Sequence, residues 1–313
     1  MNQSLLACVF PGQGSQQVGM LGALAQQLPL ISHTFARASE VLGYDLWQLV
    51  QSGPQEQLNL TEYAQPALLA ASTALWLSWC ERNAVRPSFL AGHSLGEWSA
   101  LVAAGVVAFE DAVNLVRLRG RFMQEAVPVG VGGMAVVLEL PDASVIEACR
   151  QASTAGEVAA VNFNSPGQVV IAGEVASLEL AMALCKEAGA KRVLQLSVSA
   201  PFHTKLMRPA AERLEVFIQA TAFASPRIPV VHNFHAATEP DPDAIKALMV
   251  QQIYSPVLWV DSVERLVGLG VGHTLEVGPG KVLSGLNKRI ARNLQVASSA
   301  DETAWAAAHE LFK

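Results

Sequence analysis

A serine attacks a carbonyl only when a turn holds it clear and a base takes its proton. The stretch Gly92-His93-Ser94-Leu95-Gly96 meets the first condition. Phe89, Leu90 and Ala91 predict a strand before it, and an apolar-periodic segment predicts a helix after it. In that setting GxSxG is a nucleophile elbow: the glycines allow the sharp turn, and the helix N-terminus brings N–H groups and a positive dipole end towards Ser94 Oγ. Without the flanking strand and helix the same residues would be a surface turn with an incidental serine. Of the seven histidines, His203 is the first candidate base, because Ser199-Ala200-Pro201-Phe202-His203-Thr204 follows an expected strand, where catalytic side chains tend to lie. His232 and His235 are the alternatives, as base or as packing residues, and His93 reads as structural. No acidic residue stands out as a third member, which leaves a backbone carbonyl or an amide side chain to orient the imidazole.

A second glycine-rich stretch, Phe10-Pro11-Gly12-Gln13-Gly14-Ser15-Gln16, leaves the first expected strand. As a dinucleotide fingerprint it fails, because the third glycine of GxGxxG would fall on Gln17. As an oxyanion-hole loop it works. The N–H of Gln13 would be one donor and the N–H of Leu95, after the nucleophile, the other. That reading requires Gln13 to lie close to Ser94.

The elements that must position these residues alternate. A strand at Leu5–Phe10, helices over 21–27, 32–42 and 63–82, a strand over 88–92 and helices over 95–104 and 109–126 give the rhythm of a helix-covered parallel sheet. From 132 to 198 the order becomes strand (134–140), helix (143–152), strands (158–163 and 168–172), helix (177–188) and strand (192–198), the βαββαβ order of a ferredoxin-like module. The expected fold is α/β: an α/β-hydrolase-like large subdomain, 1–126 and 199–313, with an inserted ferredoxin-like small subdomain, 127–198. Further strands are expected over 229–233 and 274–277.

Composition excludes several classes. The 313 residues, 51% of them hydrophobic, suffice for a large core. A formal net charge of −6 argues against nucleic-acid binding as the main role. Apolar runs fall short of the roughly 20 residues of a membrane span. Leu5-Leu6-Ala7-Cys8 could be read as a lipoprotein cleavage site, but no basic stretch or long apolar segment precedes it, so a first strand and a cytoplasmic protein are expected. Cys8, Cys80, Cys149 and Cys185 are too scattered for a zinc site or a disulfide framework. No metal and no cofactor are expected.

FPGQGSQ, GHSLGE, LRGRFMQEAVP, NFNSPGQVVIAG, APFHT, QQIYSPVLW and EVGPGKVLSGL follow one another along nearly the whole chain. In content and order they resemble the malonyl-CoA:acyl carrier protein transacylases, most of all the stand-alone bacterial fatty-acid synthesis type. The resemblance implies that Ser94 accepts the acyl group, His203 is its base, and Gln13 and Leu95 supply the oxyanion hole. It implies that Arg119 binds the free malonyl carboxylate, a role a guanidinium fork suits; a solvated helix charge is the plain alternative, and Arg117 and Arg121 beside it read so. Gln252 matches a glutamine near the base, and Asn162 and Asn164 match polar positions facing the cleft. Phe202 would fill the space that an α-methyl group needs. Lys191, Arg192, Lys288 and Arg289 are candidates for docking an acidic carrier protein. The partners implied are malonyl-CoA and acyl carrier protein, acting on a monomer. The elbow alone would also suit a serine thioesterase, against which Arg119 and the motif order speak, and intact Ser94 and His203 speak against a silent scaffold; the malonyltransferases of polyketide synthesis or malonate decarboxylation would share these motifs. Loading of Ser94 and its discharge by carrier thiol separate the transferases from a thioesterase and a scaffold.

Overall fold

The computed structural model describes residues 5–198 and 200–312. Ser199, at the expected boundary between subdomains, lies outside the described residues. Two sheets organise the rest. The first has five parallel strands, β1 (Leu5–Phe10), β2 (Phe89–Gly92), β7 (Val230–Val231), β8 (Val271–Glu276) and β9 (Gln295–Ser298), in the order β7-β2-β1-β8-β9. Helices cover both of its faces, so β1 is buried from Leu6 to Phe10 and reads as an unbroken apolar run. The fully buried Trp79, Trp98 and Trp259 fill the layers around it.

The second sheet is antiparallel: β3 (Gly132–Leu138), β4 (Val158–Ser165), β5 (Gln168–Glu174) and β6 (Arg192–Gln195), in the order β4-β5-β3-β6. With helices Asp142–Ala152 and Val175–Glu187 packed on one face around Val145, Cys149, Leu178 and Cys185, this is the ferredoxin-like arrangement. The fold is therefore α/β-hydrolase-like with a ferredoxin-like insertion. Edge strand β4 is also tied to the large part, because Phe163 N–H donates to the Val257 carbonyl at 3.0 Å and Val257 N–H to the Val161 carbonyl at 2.8 Å.

Several elements differ from their sequence reading. The helix expected over 21–27 is the single turn Gly22–Ala25, and β7 has two residues where five were expected. Strand β6 stops at Gln195, because the chain from Leu196 to Val198 turns towards the cavity described below. Strand β9 was missed, as were the helices after residue 205. Two of those helices begin at recognisable caps: Asp241 accepts from Ala244 N–H, and Asp301 from Ala304 N–H.

One helix crossing bears directly on the site. Helices Thr61–Arg82 and Phe109–Glu125 touch at Gly120, where a Cβ would lie 2.5 Å from the Thr61 carbonyl oxygen. The close approach sets Arg119 beside Gln65.

Candidate active site

The turn at Ser94 depends on the two glycines around it. A Cβ on Gly92 would fall 2.0 Å from the Gly96 carbonyl, and a Cβ on Gly96 would fall 2.0 Å from the Phe10 carbonyl oxygen. Strand β2, the helix Leu95–Ala103 and the end of β1 therefore meet backbone to backbone. Ser94 takes up the strain, with φ 51° and ψ −106°, a conformation that L-residues rarely adopt outside functional turns. Asn233 braces it: its Nδ2 donates to the Gly92 carbonyl at 2.6 Å, and its Oδ1 accepts from Ser94 N–H at 2.7 Å.

His203 comes from the loop after β6 and is 4% exposed. Its Nε2 lies 2.8 Å from Ser94 Oγ, and its Nδ1 lies 2.9 Å from the Gln252 carbonyl oxygen. A carbonyl can only accept, so Nδ1 carries the proton and Nε2 is the free base facing the serine. Burial, then the positive charge of Arg119, hold the imidazole pKa down to about 3, so it is neutral at physiological pH. His232 and His235 do not reach the serine. His232 is fully buried with its Nδ1 2.7 Å from Glu97 Oε1, and the His235 ring stacks edge-on to it. His93 turns its Nε2 to Asn164 Oδ1 at 2.7 Å and packs on Trp259.

Arg119 is 2% exposed and has no carboxylate of the described residues at contact distance. Its Nη1 donates to Gln65 Oε1 at 2.9 Å, and its Nη2 to Gln252 Oε1 at 2.9 Å and to Ser94 Oγ at 3.3 Å. Its Nε has no hydrogen-bond partner among the described residues. Burial lowers its pKa to about 10, opposed by the charge of Glu97, so the guanidinium remains protonated at neutral pH.

These groups open onto a cavity of about 670 Å³ between the two sheets, lined by Gln13, Ser94, Arg119, His203 and Phe202, with Met134 and Asn162 from the small sheet and Leu196 from the chain just after it. Gln13 thus shares the cavity with Ser94, its side-chain Nε2 donating to Thr61 Oγ1 at 3.3 Å. Leu95 is the first residue of the helix after Ser94, so its N–H has no intrahelical acceptor. Asn164, expected to face the cleft, stands behind the wall instead, and Gln252, expected near the base, has its main-chain carbonyl on His203 Nδ1. Asn164 holds His93, and Gln252, 1% exposed, lies beneath Arg119 and Ser94. None of the four basic docking candidates lines the cavity. Lys191 pairs with Glu139, Lys288 donates to the Leu294 carbonyl, Arg289 donates to Gln168, and Arg192 begins β6.

Sequence reasoning passed over Glu97, Asn233 and Gln65. Glu97 stands three residues after the serine in Gly92-His93-Ser94-Leu95-Gly96-Glu97, a first-turn position that offers a carboxylate to neighbouring loops. Nothing in the sequence marks Gln65 or Asn233. Burial pushes the thiol of Cys149 up to about 12 and that of Cys185 up to about 11, so neither rivals Ser94 as nucleophile. Among the described residues, no group of three or more His, Cys, Asp or Glu could hold a metal ion, and no helix is long and apolar enough to cross a membrane.

Residues 7–302 match the model of the acyl transferase domain family. The chain belongs to that family. Within it, the chain is 54% identical to the malonyl CoA-acyl carrier protein transacylase of Escherichia coli (strain K12) over 305 residues, 97% of this chain and 99% of that one. It is 44% identical to the enzyme of the same name from Bacillus subtilis (strain 168) over 95% of this chain and 94% of that one. Among solved structures, an acyl carrier protein S-malonyltransferase from Vibrio cholerae superposes with a TM-score of 0.95 at 52% identity, covering 97% of this chain and all of that one. A malonyl-transacylase solved in complex with a type II PKS acyl-carrier protein superposes with a TM-score of 0.97 at 52% identity, covering 98% of this chain and 100% of that one. In this acyl transferase the elbow, the base and the buried arginine therefore sit within a fold shared along its length.

Proposed function

We propose that the chain moves a malonyl group from malonyl-CoA to the phosphopantetheine thiol of acyl carrier protein, through an ester on Ser94, and so supplies fatty-acid synthesis. The observation that carries this reading is Arg119: a buried guanidinium 3.3 Å from the nucleophile, held by amide oxygens and open to an anion. The free carboxylate of the malonyl group is that anion. A charged donor paired with it in a buried site favours malonyl, whereas an acetyl group would leave the guanidinium without its partner.

In the first half-reaction His203 Nε2 takes the proton of Ser94 Oγ, and the oxygen attacks the thioester carbonyl. The main-chain N–H groups of Gln13 and Leu95 receive the developing oxyanion. The tetrahedral centre collapses, the C–S bond breaks, and His203 returns its proton to the CoA sulfur. In the second half the carrier thiol gives its proton to His203 and attacks the ester carbonyl; Ser94 Oγ leaves and is reprotonated by the same imidazole. Phe202, beside the base, narrows the space at the α-carbon of the acyl group and favours malonyl over methylmalonyl. Gln252 and Asn164 act from behind the wall, and Asn162 from the wall itself.

Lys191, Arg192, Lys288 and Arg289 form a basic surface for the acidic carrier, and the chain works as a cytoplasmic monomer without metal or cofactor. The division into 1–126 with 199–313 and 127–198 separates the chemistry from the wall that faces it. Intact-protein mass after brief incubation with malonyl-CoA tests the core of this reading. A malonyl increment is expected on the native chain, lost on adding carrier protein and absent from Ser94→Ala. Steady release of CoA with no increment would instead indicate a hydrolase.

A further inference from the structure

Beneath the nucleophile lies a buried carboxylate that the transfer chemistry does not use. Glu97 is 1% exposed and is not among the residues that line the cavity. Its Oε1 lies 2.7 Å from His232 Nδ1. Its Oε2 accepts from Gln252 Nε2 at 2.7 Å and from Asn233 N–H at 3.2 Å. Both of those residues continue to the reacting groups. Asn233 holds the Ser94 N–H, while Gln252 holds Arg119 through Oε1, the Ser94 carbonyl through Nε2 at 2.8 Å, and His203 through its main-chain carbonyl.

The side-chain amide of Gln252 has one orientation that works. With Nε2 towards Glu97 and Ser94, both neighbours accept and Oε1 is left to receive the Arg119 N–H. Turned over, the amide would set oxygen against two acceptors and N–H against the guanidinium. The charged acceptor in this set is Glu97, and a hydrogen bond to a carboxylate is about twice as strong as one between neutral groups. Glu97 is also the charge that partly balances Arg119, from one amide away and not by contact. A carboxylate touching Arg119 directly would occupy the place of the substrate's own.

We infer that Glu97 is a positioning residue for acyl-group selection: it locks the Gln252 amide so that Arg119 is aimed at the incoming carboxylate while remaining unpaired with any anion of the protein. This rests on the reading that Arg119 receives the acyl carboxylate. A role confined to bracing the elbow predicts something different, because malonyl and acetyl loading both need Ser94 equally. Only malonyl loading needs an aimed Arg119.

The test is the single-turnover rate of Ser94 acylation by malonyl-CoA and by acetyl-CoA, read by intact mass, for Glu97→Met, Glu97→Gln, Arg119→Ala and the double variant Glu97→Met with Arg119→Ala. Glu97→Met removes the acceptors at nearly constant volume, and the malonyl-to-acetyl ratio should fall about tenfold or more. Glu97→Gln retains an acceptor oxygen without the charge and should recover most of the ratio, falling only a few-fold. Adding Arg119→Ala to Glu97→Met should lower the ratio little further, because both changes remove the same aim. Should the methionine variant not fold, the glutamine variant decides alone. Parallel loss of both rates, or an unchanged ratio, in the folded Glu97 variants would overturn the inference while a lowered ratio in Arg119→Ala left the carboxylate reading standing. An unchanged ratio in Arg119→Ala would overturn both.

Discussion

The parallel and the antiparallel sheet both face the cavity, but they deliver different things to it. From the parallel sheet comes a serine fixed by backbone contact, between glycines that tolerate no Cβ and under an asparagine that clamps the strand on one side and the turn on the other. From the antiparallel sheet and the chain that leaves it come side chains that form a wall: Met134, Asn162 and Leu196. Asn162 Oδ1 has no hydrogen-bond partner among the described residues. His203 illustrates the division, since it leaves the end of the small sheet yet is held by the Gln252 carbonyl of the large part. Groups that break and make bonds need placement to a fraction of an ångström, and here that placement comes from hydrogen-bonded backbone at the carboxyl ends of parallel strands. A wall can repack without such loss.

The sharpest way to break this contrast is to exchange its costs. Ser94→Ala should lower transfer by on the order of 10³-fold or more, measured as carrier-protein malonylation, with the fold retained. Gly96→Ala, which adds one methyl group remote from the substrate, should destabilise the protein by about 3 kcal/mol and abolish loading of Ser94; denaturant unfolding and intact mass check both. Arg119→Ala should cost about 10²-fold in malonyl loading and much less in acetyl loading. Asn162→Ala, on the wall, should change malonyl loading by less than tenfold. If it cost as much as Arg119→Ala, the small sheet would be part of the machinery and the contrast would fail.

The smallest effect concerns pH. Buried and beside Arg119, His203 stays neutral in the folded chain down to about pH 3, whereas in the unfolded chain it binds a proton near its ordinary value of 6.5. Between those values the unfolded state holds more protons, so the stability is fully present above the unfolded pKa and falls as pH drops from about 6.5 towards 3. The drop in urea midpoint from pH 7 to pH 5 should be smaller for His203→Gln than for the native chain. An equal drop would place the acid sensitivity in other groups, of which His93, also held low by burial, is the first to examine.

The sequence carried the fold well where one period dominates and poorly where it does not. The run Leu5–Phe10 and the alternation in 158–172 were legible because a strand buried on both faces and a half-buried hairpin leave distinct patterns. Strand β7 was overread because only Val230 and Val231 pair with β2, while the residues after them bend to bring Asn233 under Ser94. Ser94, His203 and Gln13 could be found because turns and glycines announce them. Arg119, midway along a helix with Arg117 and Arg121 two residues to either side, looked the same as its solvated neighbours until the crossing at Gly120 buried it. Glu97, Gln65 and Asn233 act through partners 54 to 155 residues away, and no local pattern encodes such pairs.

The bonding of β4 to Val257 has a consequence for how copies of this chain meet one another. A four-stranded sheet has two rims, and an unpaired rim is where a foreign strand can add itself. Over Val161–Phe163 one rim is already taken from within. The other is β6, four residues long and beginning at Arg192, whose charge opposes the approach of an identical edge. The small sheet is thereby guarded against templated stacking on one side by its own chain and on the other by brevity and charge.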